Sequence, residues 1–197
     1  MLVIGLTGNI ASGKTTVAKM FEASGQQVIC SDEVVRTLQQ SNSPVLIEIA
    51  HVFGETVINE DGSLNRKRLA DLIFKDATAR QKLNDMMHPL VIGELEKAIL
   101  TAKHLRKKCL VLDIPLLYEA NLEYLVDVVV VVYTNKSIQL NRLTKRDGTS
   151  KQVALEKMSV QMDMDEKASR ADFIIENNGT LEELEKNFET ITNQLEL

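Results

Sequence analysis

The sequence predicts an α/β fold in which a five-stranded parallel sheet is covered by helices on both faces. Short apolar segments alternate with segments of helical periodicity along most of the 197 residues, which is the pattern of strands joined by crossover helices. Five consecutive valines, residues 128–132, are typical of a strand buried on both faces. A glycine-rich loop also joins the first apolar segment to the first helical one.

The first strand is predicted over Leu2–Thr7, and the loop that follows it, Gly8–Thr15, reads GNIASGKT. The loop matches the phosphate-binding pattern G-x-x-x-x-G-K-[ST] at every fixed position, and a helical pattern begins at Thr16. The glycines let backbone N–H groups face an anion, to which the helix N-terminus adds partial positive charge. Lys14 can reach the β- and γ-phosphates of a nucleotide, and the Thr15 hydroxyl can bind Mg²⁺. We therefore predict a nucleotide-binding site; a chance match in a glycine-containing turn is the alternative.

A carboxylate, Asp32, follows the second predicted strand, Gln26–Cys30. Ligands of open parallel sheets bind beside the carboxyl ends of the strands, so Asp32 is a candidate general base for a reaction at the phosphate site. Asp is also a favoured N-cap, and a helix is predicted over residues 32–40. From spacing alone both interpretations stay open.

Residues 43–103 contain no convincing strand and predict an inserted helical region, which can form a wall for a second substrate. Helices are predicted from Pro44, over residues 65–74, over residues 77–87 and from Pro89 to about residue 103, with a turn at residues 59–62. His88 is explained most simply as a residue that fixes the helix start at Pro89, and a ligand-binding role is the alternative.

A second carboxylate at a strand end is Asp113, which closes the predicted strand Cys109–Asp113 and precedes the segment Pro115–Glu119. The arrangement resembles a Walker B element, in which such an Asp holds Mg²⁺ through water. An Asp that opens a turn is the alternative, so the metal role also stays open.

The helix after the fourth predicted strand, residues 127–133, carries Arg142 and ends near Gly148. Arg142 can approach bound phosphates, and Gly148 offers a place where a flap can bend. Lids of this kind exclude water during phosphoryl transfer, and we predict one over about residues 142–165. A fifth strand at residues 173–175, a turn at 177–179 and a closing helix at 181–195 complete the predicted elements.

Composition disfavours several classes of protein. A net charge of −5 and an aromatic content of 4% are unfavourable for a general nucleic-acid binder. No apolar run approaches the roughly 20 residues that span a bilayer, and the first residues lack the basic segment of a secretory signal. Cys30 and Cys109 lack CxxC spacing, so reduced thiols are expected rather than a disulfide or a metal site. We expect a cytoplasmic protein that binds neither membranes nor nucleic acids and has no evident obligate protein partner.

The motifs together resemble those of the dephospho-CoA kinases, which phosphorylate the 3′-hydroxyl of dephospho-CoA with ATP. The resemblance covers almost the whole chain and is carried by Gly5–Gly8 leading into the loop, Val28–Arg36, His88–Leu90, Pro115–Glu119, residues 139–147, Gln161 and residues 171–179. It implies a P-loop kinase fold, ATP and Mg²⁺ as cofactors, and dephospho-CoA as the substrate. The matching domain organisation is a core of residues 1–42 and 104–197, with residues 43–103 as the helical substrate-binding insertion.

Site residues follow from the resemblance position by position. The expected ATP-binding residues are Gly8, Ala11, Ser12, Gly13, Lys14, Thr15, Thr16, Arg142 and Asn177. Catalytic roles are expected for Lys14, for Asp32 as the general base and for Arg142. The candidate metal ligands remain Thr15 and Asp113.

Three positions depart from the family pattern. Asn9 and Ala11 stand where the family commonly has glycine, and Cys30 stands where many members have the first of two aspartates. None of these changes removes a required group. The change at Cys30 leaves Asp32 as the acidic residue that can serve as the base there.

Three other functions fit parts of the sequence. A regulatory GTPase is disfavoured because Ile138 stands where the guanine motif N-K-x-D needs its carboxylate, and because no D-x-x-G occurs. A non-enzymatic nucleotide-binding module leaves Asp32 and Arg142 without a purpose. Another small-molecule kinase, such as a nucleoside monophosphate kinase, fits best of the three, because without the family resemblance nothing in the sequence names the acceptor.

Overall fold

The structure, a computed structural model, describes residues 1–197 and contains one five-stranded sheet. Its strands are β1 Leu2–Thr7, β2 Gln27–Cys30, β3 Cys109–Asp113, β4 Val128–Tyr133 and β5 Phe173–Glu176. Their order across the sheet is β2-β3-β1-β4-β5, and every neighbouring pair is parallel. The predicted parallel sheet is confirmed, with each strand within one residue of its expected bounds.

Nine α-helices connect or flank the strands. They are α1 Lys14–Ala23, α2 Ser31–Leu38, α3 Pro44–Phe53, α4 Arg66–Lys75, α5 Ala77–His104, α6 Lys136–Asp147, α7 Lys151–Ser159, α8 Met164–Ser169 and α9 Leu181–Gln194. Helix α3 begins at Pro44 as predicted, and the Ser43 hydroxyl caps it by accepting a hydrogen bond from the Leu46 N–H at 3.0 Å. None of the helices combines the length and the apolar composition that crossing a membrane requires.

Strand β1 lies in the middle of the sheet and sets the position of the phosphate loop. It pairs with β3 on one side and β4 on the other, and its residues Ile4 and Leu6 are fully buried. Leu6 of β1 and Cys30 of β2 both stand opposite Asp113 in the strand register. Because parallel strands end at the same edge of a sheet, the loop after β1 and the carboxylate of Asp113 lie at one edge.

The chain forms two compact units, one of residues 1–30 with 99–197 and the other of residues 31–98. The first unit holds the whole sheet, and its core includes the rings of Phe21 and Phe188, which meet edge to face with centroids 4.8 Å apart. The second unit holds α2, α3, α4 and most of α5. Helix α2 is thus grouped with the helical unit, whereas the sequence assigned residues up to 42 to the core.

One prediction was wrong, because Pro89 does not restart a helix. Helix α5 runs without interruption over Ala77–His104 and contains Pro89 in its interior. An interior proline removes a helical hydrogen bond and costs about 3 kcal/mol in a regular helix. Burial explains why the helix continues, since an apolar stripe crosses the proline. The stripe consists of Leu83, Met87, Val91 and Leu95, all buried. His88 is exposed and has no helix start to fix, so that interpretation was also wrong.

Candidate active site

The backbone of the phosphate loop takes conformations that favour glycine. Gly13 has φ +94° and Ala11 has φ +62°, both in the left-handed region. A side chain at position 13 would also clash, because a Cβ atom there would lie 2.0 Å from Asn177 Nδ2. The methyl group of Ala11 is accommodated at a strain of roughly 1–2 kcal/mol. Helix α1 begins directly after Gly13, which has no side chain to cap it, so the first helical amides can bind an anion.

Two residues from separate sequence motifs, Lys14 and Asp113, form an ion pair at the loop. The Lys14 ammonium contacts Asp113 Oδ1, and only 12% of the lysine side chain and 6% of the aspartate side chain are exposed. Removal from water strengthens the attraction between the two charges relative to a surface pair. The pair therefore fixes the cation of the phosphate loop beside the end of β3. Thr15 and Thr16, at the start of α1, are exposed.

The candidate metal ligands fit Mg²⁺. The Thr15 hydroxyl and the Asp113 carboxylate are hard oxygen donors, which Mg²⁺ prefers. No group of three or more His, Cys, Asp and Glu side chains is placed to hold a metal ion. A hydroxyl and a single carboxylate are sufficient where water and nucleotide phosphates supply the other ligands, as is usual for Mg²⁺.

The end of the phosphate loop at Ser12 and Gly13 is held by Asn177, which follows β5. Its side-chain amide donates to the Ser12 carbonyl at 2.7 Å, and the Thr134 hydroxyl also contacts that carbonyl at 3.0 Å. Arg142 of α6 donates from Nη1 to the Asn177 carbonyl at 3.0 Å and lies within 3.4 Å of Asn177 Oδ1 through Nη2. The structure thus brings Arg142, Asn177, Ser12 and Gly13 together.

The other end of the phosphate loop is held by the segment that follows α7 and by α6. The Ile10 N–H donates to Gln161 Oε1, the Gln139 amide donates to the Ile10 carbonyl, and the Asn9 amide donates to the Met162 carbonyl, each at 2.8 Å. Sequence reasoning gave these contacts no role. One signal was present, because Gln139 and Arg142 are three residues apart and therefore share a face of α6.

The segment predicted as a lid, about residues 142–165, contains the end of α6, all of α7 and the first two residues of α8. Gly148 ends α6 in the left-handed conformation with φ +62°. Next to it, hydrogen bonds from Arg146 and Lys157 lower the pKa of Asp147 to about 2. Lys157 belongs to α7, so this carboxylate joins the two helices across the glycine.

A buried cation, Lys167 of α8, was missed by sequence reasoning. Its side chain is fully buried, and Nζ lies 3.0 Å from both the Pro115 carbonyl and Glu119 Oε1. Burial lowers the pKa of Lys167, the hydrogen bond and charge of Glu119 partly offset that effect, and the charge of Lys14 adds to it. A lone lysine in a helical segment gives no sequence signal of such burial, because lysine is normally exposed.

A cavity of about 400 Å³ lies beside the Asn9 end of the loop. Its lining is formed by Asn9, Lys136, Gln139, Leu155, Met158, Ser159, Gln161, Met162, Asp163, Met164 and Asp165. Lys14, Arg142 and Asn177 do not line it. The cavity is therefore separate from the groups expected to bind the phosphates.

Asp32 is the second residue of α2, and its side chain is exposed. It follows two residues after Cys30, the last residue of β2. Helix α2 begins at Ser31, so Asp32 lies in the first helical turn, where the helix dipole favours a carboxylate. The carboxylate is accessible to a substrate, as a general base must be.

Known proteins resemble this chain over almost its whole length. The family model described as dephospho-CoA kinase matches residues 2–183. A dephospho-CoA kinase of Syntrophotalea carbinolica is 44% identical over 93% of this chain and 87% of its own. Among solved structures, a Thermus thermophilus protein has a TM-score of 0.79 at 31% identity, covering 98% of this chain and 97% of its own. A dephospho-CoA kinase of Campylobacter jejuni has a TM-score of 0.73 at 25% identity, covering 98% of this chain and 96% of its own. With its phosphate loop and five-stranded P-loop kinase core, this chain belongs to the dephospho-CoA kinase family.

Proposed function

We propose that this enzyme transfers the γ-phosphoryl group of ATP to the 3′-hydroxyl of dephospho-CoA and releases coenzyme A and ADP. The observation that carries the proposal is the phosphate loop, with Lys14 and Asp113 paired at one edge of the sheet. Membership of the family supports dephospho-CoA as the acceptor. The substrates and products are water-soluble, and we place the reaction in the cytoplasm.

The phosphate loop binds ATP through its backbone and through the cation of Lys14. ATP competes with Asp113 for that cation, so the ion pair gives way to contacts between Lys14 and the phosphates. Stabilisation of charge by Lys14 is strongest where negative charge develops during transfer, which is the condition for raising kcat. The Thr15 hydroxyl and, through water, the Asp113 carboxylate would hold Mg²⁺, which would neutralise phosphate charge.

Two further residues have separate roles in the transfer. Arg142 stabilises the phosphates, and its contact with Asn177 supports this role because it orients the guanidinium beside the loop. Asp32 accepts the proton of the 3′-hydroxyl as that oxygen attacks phosphorus. Its exposure supports the role, since a base has to contact the acceptor.

The choice of acceptor is assigned to residues 43–103 and to the segment Pro115–Glu119. Transfer itself requires of the acceptor only an oxygen in line with the γ-phosphate, so selectivity has to come from contacts away from the reacting atoms. Apolar helix faces and the exposed cations Arg66, Lys67 and Arg68 suit a ligand with a pyrophosphate and a long arm. Binding energy from the arm can then orient the 3′-hydroxyl.

An acceptor panel tests the function. Purified enzyme with Mg-ATP is assayed for ADP release with dephospho-CoA, with AMP, CMP and UMP, and with a dephospho-CoA analogue that lacks the pantetheine arm. We expect dephospho-CoA to give the highest kcat/KM and the truncated analogue to lose efficiency although its ribose is unchanged. A nucleoside monophosphate that proves the better acceptor would overturn the assignment of the substrate while leaving a P-loop kinase.

Replacing Asp32 with asparagine tests the base. Asp32→Asn keeps the size of the side chain but removes its basicity, so we expect ATP affinity and Tm close to wild type and kcat reduced by about 10² or more. The measurements are ATP titration, thermal unfolding and steady-state rates. Substantial activity together with a clear loss of Tm would make Asp32 a residue that stabilises the first turn of α2.

A further inference from the structure

The buried ammonium of Lys167 has no contact with solvent and no role in the transfer described above. Lysine is almost never fully buried, and burying a charge costs several kcal/mol unless it is paired and hydrogen-bonded. Lys167 meets both conditions through Glu119 Oε1 and the Pro115 carbonyl. An apolar side chain would fill the same space without that desolvation cost, so stability alone does not explain a charged residue at this position.

The contacts of Lys167 lead to the phosphate loop. Glu119 Oε1, which pairs with Lys167, also accepts a hydrogen bond from the Met162 N–H at 2.9 Å. The Met162 carbonyl accepts from the Asn9 side chain at 2.8 Å. A continuous path therefore runs from Lys167 through Glu119 and Met162 to the first part of the loop.

A second path leads from Lys167 to the end of β1. The Pro115 carbonyl, to which Lys167 donates, also accepts a hydrogen bond from the Thr7 hydroxyl at 3.1 Å. Thr7 is the last residue of β1 and directly precedes Gly8 of the loop. Lys167 thus reaches both the residue before the loop and a residue within it.

The position of the Glu119 carboxylate depends on Lys167. Its second oxygen, Oε2, is buried and has no hydrogen-bond partner, so Oε1 makes the contacts that orient the carboxylate. Without Lys167 the half-buried carboxylate would lose the cation that pairs with it and would be free to turn towards solvent. That movement would alter its hydrogen bond from Met162.

We propose that Lys167 is a positioning residue for ATP binding, because it fixes Glu119 and thereby the Met162 contact that holds Asn9 in the phosphate loop. This inference rests on the proposed function only in that ATP is the nucleotide bound. Misplacing a binding element by about 1 Å can cost up to 10² in rate, so an indirect effect of Lys167 is measurable.

A double-mutant cycle tests the link. Lys167→Met, Asn9→Ala and the double variant are compared with wild type by calorimetric titration of ATP at a temperature where each is folded. We expect each single variant to bind ATP about tenfold more weakly, and the double variant to bind no more weakly than the worse single variant. Effects that simply add, or a Lys167→Met protein with a lowered Tm and unchanged ATP affinity, would overturn the proposal.

Two further variants complete the test. Lys186→Met is the control, because Lys186 is an exposed lysine of α9 and undergoes the same substitution; its ATP affinity should stay at the wild-type value. If Lys167→Met does not fold, Lys167→Gln replaces it in the cycle with the same expected coupling. ATP titration needs no acceptor, so failure of dephospho-CoA as a substrate would refute the proposed function without changing this result.

Discussion

The two ends of the phosphate loop are held in different ways. At Asn9 and Ile10 the partners are uncharged amides and carbonyls of Gln139, Gln161 and Met162. From Ser12 onwards, charged groups surround the loop: Arg142 through Asn177, and Asp113 directly at Lys14. We infer that one end fixes the shape of the backbone, while the other end presents the charges that are proposed to contact the phosphates.

Helix α6 is the element that serves both ends. Gln139 and Arg142 lie on one face of it, and they reach Ile10 and Asn177 respectively. Gly148 at the end of α6 leads into α7, which belongs to the proposed lid. A shift of this helix would therefore change the shape of the loop and the position of its charges together.

The largest effect is expected at the charged end. Lys14→Ala removes the cation that neutralises the transferring phosphoryl group, so we expect kcat to fall by a factor on the order of 10² or more. Steady-state rates with saturating ATP measure this, and circular dichroism checks that the fold is kept. Wild-type turnover in the folded variant would contradict the role of the loop.

A smaller effect is expected from Arg142. Arg142→Ala removes a cation from the phosphates and a donor from Asn177. Since a charged hydrogen bond contributes about 1.5–3 kcal/mol, and only part of that loss is expected in the transition state, kcat should fall by about 10-fold to 10²-fold, more than ATP affinity does. Arg142→Lys keeps the charge but loses the planar fork of donors and should recover only part of the rate. If only Tm falls and kcat is unchanged, Arg142 serves merely to hold Asn177.

The sheet was predictable because its signals are local. The valine run predicts β4, and the apolar run that Asp113 ends predicts β3. Both signals lie within the strands themselves. The phosphate loop is equally local, since its glycines and Lys14 are contiguous with β1 and α1. Pro89 was misjudged because a local rule on proline was outweighed by burial along the whole of α5.

The contacts that shape the loop could not be predicted in the same way. Ile10 and Gln161 are 151 positions apart, and the Lys167 contact to Pro115 spans 52 positions. These pairings depend on how residues after α6 pack against the phosphate loop and the sheet, and a glutamine or lysine in a sequence gives no indication of a distant buried partner. Roles for Lys14, Arg142 and Asp113 could be expected from motifs. Gln139 and Gln161 also lie in motifs that carry the family resemblance, but the sequence did not indicate that they contact Ile10.

The smallest effect, and the one that most directly tests the division between the two ends, is expected from Gln161. Gln161→Leu keeps most of the side-chain volume but leaves the Ile10 N–H without its acceptor, and one neutral hydrogen bond contributes about 1 kcal/mol. Because this end shapes the loop without meeting the charge that develops in transfer, the loss should weaken ATP binding about fivefold and leave kcat near wild type. Gln152→Leu is the matched control, since Gln152 is exposed on α7 and bonds only its neighbour Glu156. KM for ATP, kcat and ATP affinity are measured for both variants.

A fall in kcat as large as that of Arg142→Ala would show that the uncharged end also acts in the transition state. An equal effect of Gln152→Leu would show that the change arises from the proposed lid as a whole and not from the contact between Gln161 and Ile10.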